Sequence, residues 1–477
     1  MNQMLERAFE AWCGCEELRS RRRRYKRYTF GDQWSDPVEM PSGKWSTEWE
    51  FAVQDGKRPQ TNNIIRQLVK SVVGRFRYRM VREKTSAAEL GVDREVAVRN
   101  HLDELDCRSM EEFLISGCVV QRVVMEKRMA GDGVWVDIVS PEKFFVNRFT
   151  DPRGLDIELV GMLHDMSMRE VMMRFGDDTR RCEELAKIYS DSMREMNLLG
   201  GVPAVGDAAA SEFYHGERGK CRVIEVWSLE SRNVVKCHDT HRGKMFIVPE
   251  SEMVKIERLN RSREAAGEGR IEIRQCVTMR WHVRFFSPSG VVLDEYDSPF
   301  GHNQHPFAVK FYPMIDGEVH SFVEDVIDQQ RHVNRLITLI DHVMGVSAKG
   351  VLLFPEEQRL PGMSWGQVAD AWSDCNGVLP YRVGRFPGIE PHQVVSSGGN
   401  AGASDLLQIE LRLMEQVSGV SGALQGRHTS GVNSAALYEA QTDNSVINLL
   451  DLIEAFESFR AGRNDLVNEC GVCGWNA

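Results

Sequence analysis

The stretch Gly317–Met344, GEVHSFVEDVIDQQRHVNRLITLIDHVM, divides the chain into two halves of different character. Val323, Val326, Ile327, Val333, Ile337, Ile340 and Met344 recur at helical spacing, and Glu324, Asp328, His332, Arg335 and Asp341 fall elsewhere around the same wheel. The spacing predicts one long amphipathic helix with no loop-forming residue inside it. Strand-rich sequence precedes it and mostly helical sequence follows. The fold class is therefore mixed α+β.

After Gly345, residues 346–400 carry short apolar runs such as GVLLF, broken by Pro355, Pro361, Pro380, Pro387 and Pro391, and read as a small compact insertion. SDLLQIELRLMEQVSG follows as a second helix bearing Leu406, Leu407, Ile409, Leu413, Met414 and Val417, capped by Ser404 and stopped by Gly419. A glycine- and polar-rich loop comes next. A last helix is expected over 434–468, with Val446, Leu449, Ile453, Phe456 and Phe459 buried.

Before the long helix, alternation predicts strands at Cys118–Lys127, Val134–Val139, Cys221–Leu229, Lys244–Ile247, Ile271–Phe286 and Val291–Tyr296, with a hairpin turn at Gly131-Asp132-Gly133. One helix is expected over Ser86–Ser116, and another within Gln60–Val81, opened by Asn62 or Asn63. Residues 29–51 read as an ordered, tryptophan-rich loop, and the Gly/Ala-rich segment 200–220 as a mobile insertion. Residues 2–28 read as helical and end in a basic run, Arg21 to Arg24, Tyr25, Lys26, Arg27 and Tyr28. On an exposed helix this run is a solvated face; the other reading is a grip on phosphate or an acidic partner.

The 477 residues suffice for two or three domains, and 42% hydrophobic residues is ordinary for a folded chain. Charges interrupt every apolar run, so no membrane span is expected, and the acidic amphipathic N-terminus does not resemble a signal peptide. Eleven scattered cysteines suit a reducing compartment as free thiols, and neither Cys13 with Cys15 nor Cys470 with Cys473 has the second pair a zinc site needs. No phosphate loop accompanies Gly43-Lys44 or Gly219-Lys220, and Gly419-Val420-Ser421-Gly422 lacks the spacing of a nucleophile elbow. His238 with His241 and His302 with His305 have no carboxylate at a metal-binding spacing. Hence no catalytic residue, metal or cofactor is assigned. The net charge of −11, from 70 acidic and 59 basic residues, argues against tight DNA binding, though a surface over which DNA slides remains compatible with it.

Four segments can then be read together: YTFGDQW (28–34) with RPQTNNIIRQLVKSVVGRFR (58–77); SPEKFFVNRFTDPRGLDIELVGMLHDMSMREVMMRFG (140–176); FYPMIDGEVHSFVEDVIDQQRHVNR (311–335); and VSGVSGALQGRHTSGVNSAALYEAQTD (417–443). The second has Asp151 and Asp156 at acidic positions, with Asn147 where an acid is expected, and the third closes on Gln330 and Asn334. In this order the four resemble the portal proteins of tailed bacteriophages, in particular those of short-tailed phages.

That resemblance implies a portal fold: an α/β wing (1–315), a first stem helix (316–345), a small α/β clip (346–400), a second stem helix (401–419), a channel loop (420–433), and a wing-spanning helix with a short crown (434–477). It implies a homo-oligomeric ring, dodecameric in mature virions, at one capsid vertex and assembled in the bacterial cytoplasm. Double-stranded DNA would pass non-specifically through the channel, touched by Gln425, Arg427, His428, Thr429 and Ser430. The clip, through Glu356, Glu357 and Arg359, would meet the terminase large subunit and later a head-completion or tail adaptor protein. Major capsid and scaffolding proteins are further partners, and no membrane is involved. Glu324, Asp328, Arg331, Arg335 and Asp341, of both signs, suit lateral contacts between stem helices. Without the resemblance, two other classes stay open: a soluble α/β enzyme with a helical C-terminal domain, and a capsid-associated adaptor acting as a monomer or small oligomer.

Overall fold

The longest alternating runs make the longest ladder. In the computed structural model, Cys221–Asp239 and Ile271–Phe286 pair antiparallel from Ile224 with Phe286 to Asp239 with Ile271. The structure describes residues 3–472 apart from 83–84, 87, 129–130, 199–207, 241, 267–268, 301–303, 350, 374–377, 384–389, 395–400, 423–424 and 426–446. Mixed α+β is the class observed.

In chain order the helices are α1 (Gln3–Gly14), α2 (Glu16–Phe30), α3 (Glu48–Gln54), α4 (Ile64–Arg82), α5 (Arg94–Arg99), α6 (Leu102–Ser116) and α7 (Met168–Phe175). They continue with α8 (Thr179–Leu198), α9 (Ala208–Tyr214), α10 (Met253–Ala266), α11 (Phe322–Lys349), α12 (Trp365–Ser373), α13 (Ala401–Ser418) and a C-terminal helix, Leu450–Val472. Contacts divide the chain into two discontinuous units. The first comprises Met1–Arg23, Phe76–Ser321 and Asp451–Ala477, and the second Arg24–Arg75 and Phe322–Leu450. Residues 24–75, which the sequence reading places in the region before the long helix, thus group with that helix.

In the first unit, a six-stranded sheet runs Val292–Asp297, Ile271–Phe286, Cys221–Asp239, Leu159–Met166, Phe144–Val146, with Lys244–Pro249 also on Cys221–Asp239. A three-stranded sheet orders Phe307–Phe311, Cys118–Arg128, Gly131–Ile138. Its core packs Leu5, Ala8 and Trp12 of α1 on Phe145, Leu159, Ile224 and Phe286 of the large sheet. Burying each of the Leu, Ile and Phe side chains contributes about 1.5–3 kcal/mol. Phe213 of α9 enters the same core, 5.8 Å from the Trp12 ring. Within 200–220, residues 208–214 are therefore a helix docked by an aromatic anchor, not part of a mobile insertion, and 200–207 lie outside the described residues.

Three local expectations are corrected. The helix expected over Ser86–Ser116 is two helices, because Asn100 ends α5: its side chain donates to the Val96 and Val134 carbonyls and accepts from the Val136 amide. His101 then turns with φ 48°. Gly131-Asp132-Gly133 lies within a strand, since Arg128 pairs with Gly131 and Glu126 with Gly133. The ordered loop expected at 29–51 begins in the last residues of α2 and contains a short hairpin, Pro37–Glu39 with Trp45–Thr47, and α3, capped by Thr47.

The C-terminal helix belongs to the first unit from Asp451 onward. Phe456 packs edge-on against Phe76, ring centres 5.2 Å apart. Arg460 and Arg463, both fully buried, converge on Asp106 of α6 at 2.9 and 3.0 Å. Leu449, Ile453, Phe456 and Phe459 are buried as the periodicity indicates, while 434–446 falls outside the described residues.

Candidate functional site

The second unit is built on α11, which runs five residues beyond the expected end at Met344. Val323, Val326, Ile327 and Val333 are buried on it, but a second buried line is polar: Gln330, Asn334 and Thr338, one helical turn apart, are at most 2% exposed. Buried amides need partners. These find them in the extended segment Gln60–Asn63. Thr338 Oγ1 accepts from the Gln60 amide at 2.9 Å, and Asn334 Oδ1 from the Asn62 amide at 3.1 Å. Gln330 Oε1 accepts from Ile64 and Ile65, and its Nε2 donates to the Asn62 carbonyl at 2.7 Å.

The other side of the same segment is held by the GDQW element. Asn334 Nδ2 donates to Gln33 Oε1 at 2.6 Å, and Gln33 Nε2 donates to the Tyr28 carbonyl. Trp34 Nε1 reaches the Gln60 carbonyl at 3.2 Å. Asn63 is the cap of α4, its Oδ1 accepting from the Arg66 amide, and its Nδ2 donates to the Thr29 carbonyl. GDQW, RPQTNN and QQRHVN, separate in sequence, are thus one hydrogen-bonded interlock.

Charges surround it. Glu48, 5% exposed, accepts from Arg331 and, at 3.1 Å, from Arg335. Asp36 accepts from Arg24 Nε at 2.9 Å, Arg27 at 3.2 Å and the Tyr28 hydroxyl at 2.9 Å. Burial raises the Asp36 carboxyl's pKa, but the bonds from Arg24 and Tyr28 and the charges of Arg24 and Arg27 outweigh it, leaving the value below normal. The Tyr28 phenol is pushed above its usual value by burial and by Asp36 beside it.

These contacts overturn the solvated-face reading of the basic run. Arg22, 4% exposed, pairs with Glu112 at 2.6 Å and Glu142 at 2.9 Å, Arg23 pairs with Glu142 and Glu212, and Tyr25 and Tyr28 are buried. The run is largely internal ion pairing.

Beside the interlock, α11 and the hairpin–α3 segment enclose a cleft of about 410 Å³ walled by Trp34, Val38, Phe51, Ala52 and Leu339. Farther along, α11 and α13 pack together, with His332 3.9 Å from Glu410. The insertion between them closes on itself, Val351–Leu353 pairing antiparallel with His392–Val394, so the helices form an antiparallel pair.

Of the proposed stem contacts, Arg331 and Arg335 are engaged by Glu48 within the chain, while Asp328 and Asp341 are exposed and Glu324 is half-buried. Glu356 and Glu357 stand exposed on a single 3₁₀ turn. Arg359 instead braces its own loop, donating to the Met363 carbonyl at 2.8 Å with its guanidinium 5.0 Å over Trp365. Gln425 is tied by Val420 and by Gln67 of α4, at 3.3 and 3.2 Å. Arg427, His428, Thr429 and Ser430 lie outside the described residues. Among the described residues no cluster of three or more His, Cys, Asp or Glu is placed to hold a metal ion, and no helix is long and apolar enough to cross a membrane.

Sequence reasoning missed Gln33, Asp36, Glu48 and Thr338. The available signal was polar residues at helical spacing on an otherwise apolar face of α11, where Gln330, Asn334 and Thr338 stand four apart.

Compared with known families, residues 3–461 match the family described as phage P22-like portal protein. No curated protein matches the chain.

Proposed function

The chain belongs to the phage P22-like portal protein family, and from that premise we propose that copies of it form a ring through which double-stranded DNA enters and leaves a capsid. Membership in that family supports a structural role at the capsid vertex and a ring of subunits. Twelve subunits is the number proposed for the ring.

In this reading α11 and α13 are the stem, 346–400 the clip and 420–433 the channel loop. The carrying observation is the interlock: three segments that mark the family resemblance meet as one buried hydrogen-bonded unit around α11. Such a joint fixes the long helix to the chain beside it without any reacting group. The role is therefore positional, holding a channel wall while a separate motor protein hydrolyses ATP. A net charge of −11 supports passage without retention, because an acidic wall repels phosphates. The exposed Glu356 and Glu357 are offered to the terminase large subunit and afterwards to a head-completion or tail adaptor protein. Major capsid or scaffolding protein would hold the ring at the vertex.

Negative-stain imaging and size-exclusion chromatography of the purified chain test this directly. Rings with a central hole are expected. A monodisperse monomer at every concentration, with capsid partners present, would sink the reading and favour an adaptor. Deleting Gln425–Gly431 should leave rings intact while impairing DNA packaging or retention.

A further inference from the structure

Among the described residues of the second unit two surfaces are apolar and exposed, one convex and one concave. On α13, the side that meets α11 carries Glu410 and buried Met414. A second stripe, Leu406, Ile409, Leu413 and Val417, lies roughly a quarter-turn around the helix, at 100° per residue. Each of its residues is between 40% and 48% exposed. A helix apolar on two sides is built to lie between two partners, and among the described residues α11 supplies one.

The concave surface is the cleft of about 410 Å³ beside α11. No residue of α13 lines it. Its volume is in the range of small-molecule sites, which also present a few convergent polar groups. Here the polar groups are engaged by the chain itself: Arg335 and Glu48 bond each other, and Thr338 accepts from Gln60. What remains is an apolar socket, suited to aliphatic knobs.

We propose that Leu406 and Ile409 of α13 in one copy of this chain seat in the Trp34–Phe51–Leu339 cleft of a second copy. The inference rests on the ring reading above and assigns the ring's lateral contact. Stripe and socket are different surfaces, so their union is heterologous, and repetition of a heterologous contact closes into a ring when the rotation permits. Charge supports the pairing. Asp405 and Arg412 are both exposed and flank the stripe on one side, seven residues or about 10 Å apart along the helix. The cleft offers Lys57 for the first and Asp55 for the second. The Asp55–Lys57 pair, at 3.2 Å and about 34–47% exposed, is a weak surface pair that can be exchanged for contacts across an interface.

The test places a photo-crosslinking amino acid at position 409 of the full chain. Isotopically light and heavy subunits are mixed, and crosslinks are mapped by mass spectrometry. Light–heavy crosslinks to peptides containing Trp34–Val38 or Phe51–Lys57 are expected. Ile409→Lys should abolish rings while keeping the wild-type circular dichroism and melting temperature. Asp405→Lys should weaken assembly at least tenfold, and Lys57→Glu in the same chain should restore it. Wild-type rings whose crosslinks map elsewhere, for example to the exposed Trp45 and Trp49, would overturn the pairing but leave the ring reading standing. So would an Ile409→Lys chain that assembles normally. A wild-type chain that never forms rings overturns both.

Discussion

Gln330 caps a helix that begins 266 residues earlier in the chain: its Oε1 accepts from the Ile64 amide at 3.0 Å. The same oxygen takes the Ile65 amide at 3.2 Å, so two of the four donors that open α4 are satisfied by α11. Gln330→Met keeps the volume but leaves the Ile65 amide without its acceptor, and the Ile64 amide and Asn62 carbonyl with only their 2.9 Å bond to each other. A buried orphan costs about 1–3 kcal/mol, so a loss of about 2 kcal/mol is expected in urea unfolding. Gln330→Glu keeps the acceptor, places a negative charge at a helix N-terminus, and loses only the donor, so it should cost less. If Met proves the milder change, capping is not what this side chain contributes.

A second prediction concerns Asp106. One buried carboxylate serves Arg460 Nε at 2.9 Å and both terminal nitrogens of Arg463 at 3.0 Å. Removing its charge leaves two guanidinium groups buried, with Glu457, 2.8 Å from Arg460, as the full counter-charge that remains among the described residues. Asp106→Asn should cost about 3–5 kcal/mol. Hydrogen exchange should show the loss concentrated in 450–472, and a change below about 1 kcal/mol would contradict this role.

Asp36 carries a prediction about pH. Its carboxyl sits below its usual value because the Arg24 and Tyr28 bonds outweigh burial. A carboxylate with a lowered folded pKa gives stability that is fully present above the unfolded value, about 3.9. That stability is lost as pH falls through the folded value. The wild type should therefore lose stability below about pH 4. Asp36→Asn should be about 2 kcal/mol less stable at pH 7, and the gap should narrow below pH 4. A gap that stays constant down to pH 2 would show that charge at Asp36 does not matter.

How much of this was legible beforehand follows from the range of each interaction. The strand Ile271–Phe286 and the apolar face of α11 were readable because alternation and helical periodicity are local properties. The division of the chain was not. Gln33 and Asn334 are 301 positions apart, and nothing in the periodicity of either segment names the other. The basic run at Arg21–Arg27 misled for the same reason, since its counter-charges Glu112, Glu142 and Asp36 come from other elements. In the candidate site, family resemblance pointed at Gln330 and Asn334 without saying what they bond. Glu48, which takes up two of the five charges proposed for lateral contacts, was invisible until the partners met.

The clip offers the sharpest separation of fold from function. Glu356 and Glu357 are exposed on a single 3₁₀ turn, whose buried residue is the following Gln358. Surface substitutions of this kind change stability by no more than about 0.5 kcal/mol. Replacing both with lysine changes the local charge by about four units, and like-charge juxtaposition across an interface costs several kcal/mol. The double variant, Glu356→Lys with Glu357→Lys, should therefore melt with the wild type and form the same assemblies. It should lose DNA packaging in a reconstituted motor assay, most severely at low ionic strength, where screening is weakest. Packaging at the wild-type rate would place motor docking on another surface. Arg359→Ala makes the internal control: this side chain holds the Met363 carbonyl and stacks on Trp365, so its loss should lower stability of the insertion before it alters docking.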